Sequence, residues 1–242
     1  MKRSPTLTEQ VRRHLKERIV NDEFDDGRIP PETELASDLG VSRTTIRDAL
    51  GRLESEGAIY RKQGAGTFVN RAGLQIKSRL EEIWSYEAVL RDHGYTPSVR
   101  IDSIVTESAD LALSQALDID VADPVVVIEK LILEDEEPVV LTYNRIPEAY
   151  IAVPFDEQDC RRPIYEFLER HAQRYLSYYL SEIVPTTATG RIATGLTIPS
   201  RTPLLSFHEI GHDRDNEPVV AATSYFRDDL LRFRLIRREA EA

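Results

Sequence analysis

The segment His208-Glu209-Ile210-Gly211-His212 repeats the H-E-x-x-H pattern of zinc hydrolases letter for letter. That pattern needs a helix, where the two histidines stand one turn apart, about 6 Å along the axis. The flanking residues predict another backbone. Leu204-Leu205-Ser206-Phe207 reads as a strand, and Asp213-Arg214-Asp215-Asn216-Glu217-Pro218 as the turn that follows it. Residues four apart in a strand are about 13 Å apart and cannot share one zinc ion, so no metal and no cofactor is expected here. Cys160 is the only cysteine, which excludes an internal disulfide, and no Cys/His pair has zinc-finger spacing. It follows an acidic run, Asp156 to Asp159, with no histidine in the local pattern to activate it as a nucleophile.

A second cluster supports different chemistry. Ser42, Arg43, Thr44, Thr45 and Arg47 are short hydroxyls and guanidiniums, the types that bond phosphates and the O6/N7 edge of guanine in a major groove. The elements around them must then present a helix end to a duplex. Leu7, Val11, Leu15 and Ile19 recur every fourth residue and predict an amphipathic helix from Leu7 to Val20. Ile29-Pro30-Pro31-Glu32 opens a second helix with Leu35, Ala36 and Leu39 on its inner face, ended by Gly40. Ser42 caps a third, running to about Glu56 with Val41, Ile46, Ala49, Leu50 and Leu53 inward. The turn between the last two is about three residues long, the spacing of a helix-turn-helix. Two short β-runs around Gln63-Gly64-Ala65-Gly66 follow as a hairpin, completing a winged helix-turn-helix. The glycines would let backbone approach a minor groove or a phosphate.

The net charge of -11 argues against a polyanionic partner only until the chain is divided. Residues 1–70 carry 12 Lys+Arg against 12 Asp+Glu, and residues 71–242 carry 19 against 30. Affinity for a duplex depends on the cations that face phosphate, so the neutral first part is compatible with DNA. A hydrophobic fraction of 41% leaves material for a real core and excludes disorder as the whole answer. No run approaches a membrane span of roughly 18 to 20 residues and no secretory h-region follows the first Met, so a soluble cytoplasmic chain is expected.

Residues 71–78 lack a clear period and read as a linker. The remainder contains a duplication, residues 109–142 against 188–222, in which Pro124 and Pro203 are 79 apart and Pro138 and Pro218 are 80 apart. Each copy reads as a short helix, a β-run, an acidic turn ending in Glu-Pro, and a second β-run. One pseudo-symmetric antiparallel sheet is expected, with an Ile164 to Leu176 helix between the hairpins and a last strand at Leu231 to Ile236. Leu80, Ile83, Trp84, Val89 and Leu90 with Tyr86 could form a stacking platform for a ligand, but such aromatics usually pack, so a core helix is expected.

The first 70 residues closely resemble the GntR family of bacterial transcription regulators, through Ile29-Pro30, Glu32, Glu34-Leu35-Ala36, the run from Leu39 to Leu50, Arg52-Leu53-Glu54, Glu56-Gly57, and Gly64-Ala65-Gly66-Thr67-Phe68-Val69. The resemblance implies DNA contacts at Glu32, Ser42, Arg43, Thr44, Thr45, Arg47, Gln63, Gly64, Ala65, Gly66 and Thr67. Thr33 stands where the family often has an arginine. From about Arg79 onward the chain resembles the effector-binding UTRA domain of the HutC subfamily, whose fold is similar to chorismate lyase. Both Glu-Pro-Val-Val hairpins, Pro163-Ile164-Tyr165-Glu166-Phe167-Leu168 and Tyr225-Phe226-Arg227-Asp228-Asp229 carry this second resemblance.

The fold expected is therefore α+β: a winged helix-turn-helix over 1–70, a linker over 71–78, and an antiparallel-sheet domain over 79–242. One small recognition helix reads only a few base pairs and two half-sites roughly square the discrimination, so a homodimer is expected, a repressor released from a palindromic double-stranded operator by a small polar effector. Lys130, Thr142, Tyr165, Tyr225 and Arg227 are expected to line the effector pocket, since they fall at or near positions the family uses. Where sugar-phosphate-binding members carry an arginine pair, this chain has Lys130 and Ile132, and a lysine is a point charge that does not replace a planar fork. The competing class is an enzyme, a lyase on the sheet domain or a zinc hydrolase, and apart from the failed zinc pattern no acid, base or metal constellation supports it.

Overall fold

A computed structural model describes residues 6–74, 83, 85–92 and 94–227. They fall into two compact units, one before and one after the stretch 75–82.

The first unit begins with α1 (Leu7–Val20), whose Thr6 side chain accepts from the Glu9 amide. After a short turn, β1 (Arg28–Ile29) leads into α2 (Glu32–Leu39), with Pro31 at the N-cap. Gly40 closes this helix at φ 63°, a left-handed cap that costs glycine little. Ser42 caps α3 (Arg43–Ser55) by accepting from the Thr45 amide. Leu15, Leu35, Ile46, Leu50 and Leu53 are fully buried where the three helices meet. The hairpin β2 (Ile59–Lys62) and β3 (Gly66–Val69) pairs with β1 in the order β1-β3-β2. One turn of helix, α4 (Arg71–Leu74), follows, and Leu74 packs against the same core, so the start of the expected linker is ordered here.

The second unit opens with α5 (Tyr86–Asp92) and is built on a six-stranded antiparallel sheet. Its strands are β4 (Pro97–Ser108), β5 (Pro124–Glu134), β6 (Glu137–Pro147), β7 (Tyr178–Thr187), β8 (Pro203–His212) and β9 (Pro218–Phe226). The order β4-β5-β6-β9-β8-β7 is symmetric about its centre. Thr142 pairs with Ser224 and Asn144 with Ala222, which puts a local dyad at the Tyr143–Thr223 pair. The duplicated helices are α6 (Leu111–Leu117) and α9 (Gly190–Gly195). Between the halves lie α7 (Glu157–Cys160) and α8 (Ile164–Phe167). The helix expected to reach Leu176 instead widens into a π turn over Leu168–Ala172 and ends where Gln173 adopts φ 52°. Phe167, Leu168 and Cys160 are buried with Val126 and Val219 beneath it. The expected strand at 231–236, and Leu80 and Trp84 of the expected core helix, lie outside the described residues.

Candidate functional site

Two candidate sites emerge, one on each unit. On the first, α3 presents Arg43, Thr44 and Arg47 on its exposed face. Ser42 is committed to its cap, with the Thr45 amide 3.1 Å and the Thr45 hydroxyl 2.8 Å from its oxygen. Arg47 is held across the turn by Glu32, whose Oε2 lies 3.0 Å from Nη2 and 3.2 Å from Nε. That carboxylate raises the affinity of the guanidinium for its proton and also fixes its position. Arg43 forms no ion pair among the described residues and projects from the first turn. Gln63, Gly64 and Ala65 form the wing turn, with Gly64 at φ 75°, and Gly66 and Thr67 begin β3. Arg28 donates to the Ala65 carbonyl at 3.2 Å and so braces the wing tip, a contact the sequence did not reveal because β1 is only two residues long. Helix end and wing have the arrangement of a winged helix-turn-helix.

On the second unit, alternate side chains along the sheet point into a cavity of about 710 Å³. Its floor follows the register: Lys130, Thr142, Ser224, Phe207 and Ile183 make one row across five strands. Asn144, Ala222, Glu209 and Ser181 make the next row. Tyr86 of α5, Arg162 and Tyr165 border it from above. The floor is bonded together: Tyr86 donates to Ser224 at 2.7 Å, Ser224 to Thr142 at 3.1 Å, and Asn144 to Thr142 at 3.4 Å.

Lys130 is only 4% exposed, and among the described residues its ammonium donates one hydrogen bond, to the Arg162 carbonyl at 2.7 Å. Burial pulls it down to about 8, against an opposing pull from nearby Glu87. Burial likewise raises the Glu209 carboxyl, whose Oε1 accepts from Ser181 at 2.6 Å. It also raises the Tyr165 and Tyr179 hydroxyls.

Three of the five residues expected to bind the effector, Lys130, Thr142 and Tyr165, line this cavity. Tyr225 does not. It pairs with Leu141 and Ser206 one position out of phase with the floor, so it faces the opposite side of the sheet, edge-on to Tyr143 at 6.4 Å between centroids. Arg227 sits past the end of β9, where it donates to the Pro138 carbonyl at 3.2 Å and reaches Glu137 at 3.5 Å. Sequence reading missed Glu209, Asn144, Ser224 and Tyr86 as lining residues. A count of alternate positions along the two Glu-Pro hairpins would have found the first three.

The HEIGH segment is strand throughout, within β8. His208 lies on the face away from the cavity with its ring 3.2 Å from the Ser206 hydroxyl, and Glu209 faces in. A bulge separates Gly211 from His212, whose ring stacks on Tyr178 at 4.9 Å. Cys160 is buried, and its thiol is pushed up to about 11 by that burial, which makes it inert as a nucleophile.

A winged helix-turn-helix joined to a sheet domain that carries a cavity of mixed polar and apolar lining defines the class of ligand-responsive DNA-binding regulators. The particular family follows from comparison: residues 7–69 match the bacterial regulatory proteins of the gntR family and residues 92–232 the UTRA domain. The chain belongs to the GntR family of transcriptional regulators that carry a UTRA domain. It is 29% identical over 226 residues to the HTH-type transcriptional repressor NagR of Bacillus subtilis, covering 93% of this chain and 91% of that protein. It is 25% identical over 231 residues to the mannosyl-D-glycerate transport/metabolism system repressor MngR of Escherichia coli, covering 95% of each. The fold matches that of a possible transcriptional regulator, YydK of Bacillus subtilis, with a TM-score of 0.76 at 13% identity, over 97% of this chain and all of that one. No helix among the described residues is long and apolar enough to cross a membrane.

Proposed function

We propose that this regulator is a cytoplasmic repressor without catalytic activity, which binds a pseudo-palindromic operator as a homodimer and releases it when a small polar metabolite fills the sheet cavity. The reading divides the chain into a DNA-binding part over 1–70, a linker over 71–78 and an effector and dimerisation part over 79–242. The exposed N-terminal turn of α3, with Arg43 projecting and Arg47 held by Glu32, is the observation that carries it. A single recognition helix reads only a few base pairs, and two half-sites roughly square the discrimination, which favours a dimer. The names of two relatives, both repressors, support the direction of control. Lys130, Thr142 and Tyr165 serve as effector contacts in this reading.

The test is operator DNA recovered by selection from a random pool, titrated with the full-length protein at fixed salt. Arg43→Ala is expected to weaken binding by about five- to a hundredfold and to relax preference at one position per half-site. Unchanged affinity and preference in both Arg43→Ala and Arg47→Ala, with folding intact, would refute the assignment.

A further inference from the structure

The two halves of the sheet have diverged in charge at equivalent places. Lys130 on β5 and Glu209 on β8 are 79 residues apart, the same offset as Pro124 and Pro203, so the local dyad relates them. Lys130 pairs with Thr142 and Glu209 with Ala222, each one residue from the dyad row and on opposite sides of it. Three strand spacings and two residues of rise separate their Cα positions by about 16 Å. One cavity therefore carries a buried cation at one end and a half-buried acid at the other, with the bonded hydroxyls and amide of Thr142, Ser224 and Asn144 between.

We propose that the cavity takes an elongated amphoteric metabolite, a carboxylate set on Lys130 and a protonated nitrogen set on Glu209. The inference rests on the reading of this cavity as the effector site. Charge balance favours it over a phosphate ester. The charged lining residues are Lys130, Arg162, Glu87 and Glu209, which sum to zero, and Arg162 also has Asp159 at 3.9 Å and Glu166 at 4.0 Å. A phosphate group would bring about two negative charges to a site with one buried ammonium and leave an excess unpaired. A zwitterion keeps the sum at zero and gives Lys130 and Glu209 each an opposite partner. The ammonium of Lys130 has three donors and uses one on the Arg162 carbonyl, leaving two to point at a carboxylate. Glu209 has Ser181 on Oε1, and Tyr179 lines the same cavity.

The experiment is thermal shift and calorimetry on the full-length protein with a series of straight-chain ω-amino carboxylic acids. Matched alkyl carboxylates, alkylamines and a hexose phosphate serve as controls. The expected result is stabilisation by the amino acids that peaks at one chain length and exceeds that of either monofunctional control. Glu209→Gln should weaken the best amino acid by about tenfold while leaving the alkyl carboxylate within about twofold. Lys130→Met should weaken both. The series in the wild-type protein decides the matter even if a variant misfolds. Stabilisation by the hexose phosphate and none by the amino acids overturns this inference but leaves the regulator reading standing. Equal response to amino acids and alkyl carboxylates overturns it as well. Failure of the regulator reading is seen separately, in operator binding by Arg43→Ala.

Discussion

Replacing Lys130 by methionine should stabilise the ligand-free protein at neutral pH. The ammonium releases its proton at about 8 rather than 10.5, and burial is the main cause. At about 1.4 kcal/mol per decade, keeping it charged at pH 7 costs roughly 3 kcal/mol relative to the unfolded chain. Methionine fills a similar volume and removes that cost, at the expense of the hydrogen bond to the Arg162 carbonyl, worth about 1 kcal/mol or somewhat more. A net gain of about 1 to 2 kcal/mol remains, which for a chain of this size raises Tm by about 2 to 8 °C. The sign of the pH dependence follows from linkage. Between about 8 and 10.5 the unfolded state binds the proton and the folded state does not, so the wild type gains stability as pH rises through this window. The advantage of Lys130→Met should therefore shrink between pH 8 and 10.5 and vanish above it. Urea unfolding followed by circular dichroism at pH 7, 9 and 10.5 is the assay. A variant less stable than wild type at pH 7 by the same margin as at pH 10.5 would show that Lys130 is not a strained cation.

Glu32→Gln should free Arg47 to meet a phosphate, raising affinity for random DNA and steepening the slope of log affinity against log salt by about one, measured by fluorescence anisotropy. Gly211→Ala should destabilise the second unit by about 1 to 3 kcal/mol in denaturant unfolding, because a Cβ there would lie 2.6 Å from Leu176 and 2.7 Å from Val220. Elemental analysis of tag-free protein should find no stoichiometric zinc, since His208 and His212 occupy a strand; one equivalent lost on His208→Ala would contradict this.

The first unit was legible almost residue by residue because its signals are local. Gly40 and Ser42 cap the helices where sequence alone sets them, and the apolar period of four selects the buried face. The duplicated hairpins were legible because each Glu-Pro turn repeats. Strands β4 and β7 were not, since they lie outside the repeat and are mostly exposed or half-buried, so they lack the apolar alternation of a core strand. The cavity was half legible for a related reason. Which face a strand residue takes is decided by parity along the strand, and an error of one position exchanges Ser224 for Tyr225. Glu209 was hidden inside a pattern that suggested metal chemistry, although the strand assignment that rejects zinc is what turns its carboxyl toward the cavity.

Placing the polar ends of a cavity on dyad mates has a mechanical consequence. Lys130 and Glu209 belong to different copies of the duplicated unit, and their separation is set by the register of β5, β6, β9 and β8 rather than by any loop. A ligand that touches both bridges the β6–β9 seam and senses any change in how the halves pair. Such a ligand alters operator affinity only to the extent that it binds the two states unequally. A hundredfold preference corresponds to about 2.7 kcal/mol, and burial disfavours the charged form of Lys130 in the same cavity. An anionic group that offset part of this desolvation in one state and not the other would contribute to such a preference. Linkage then requires the operator to weaken ligand binding by the same factor.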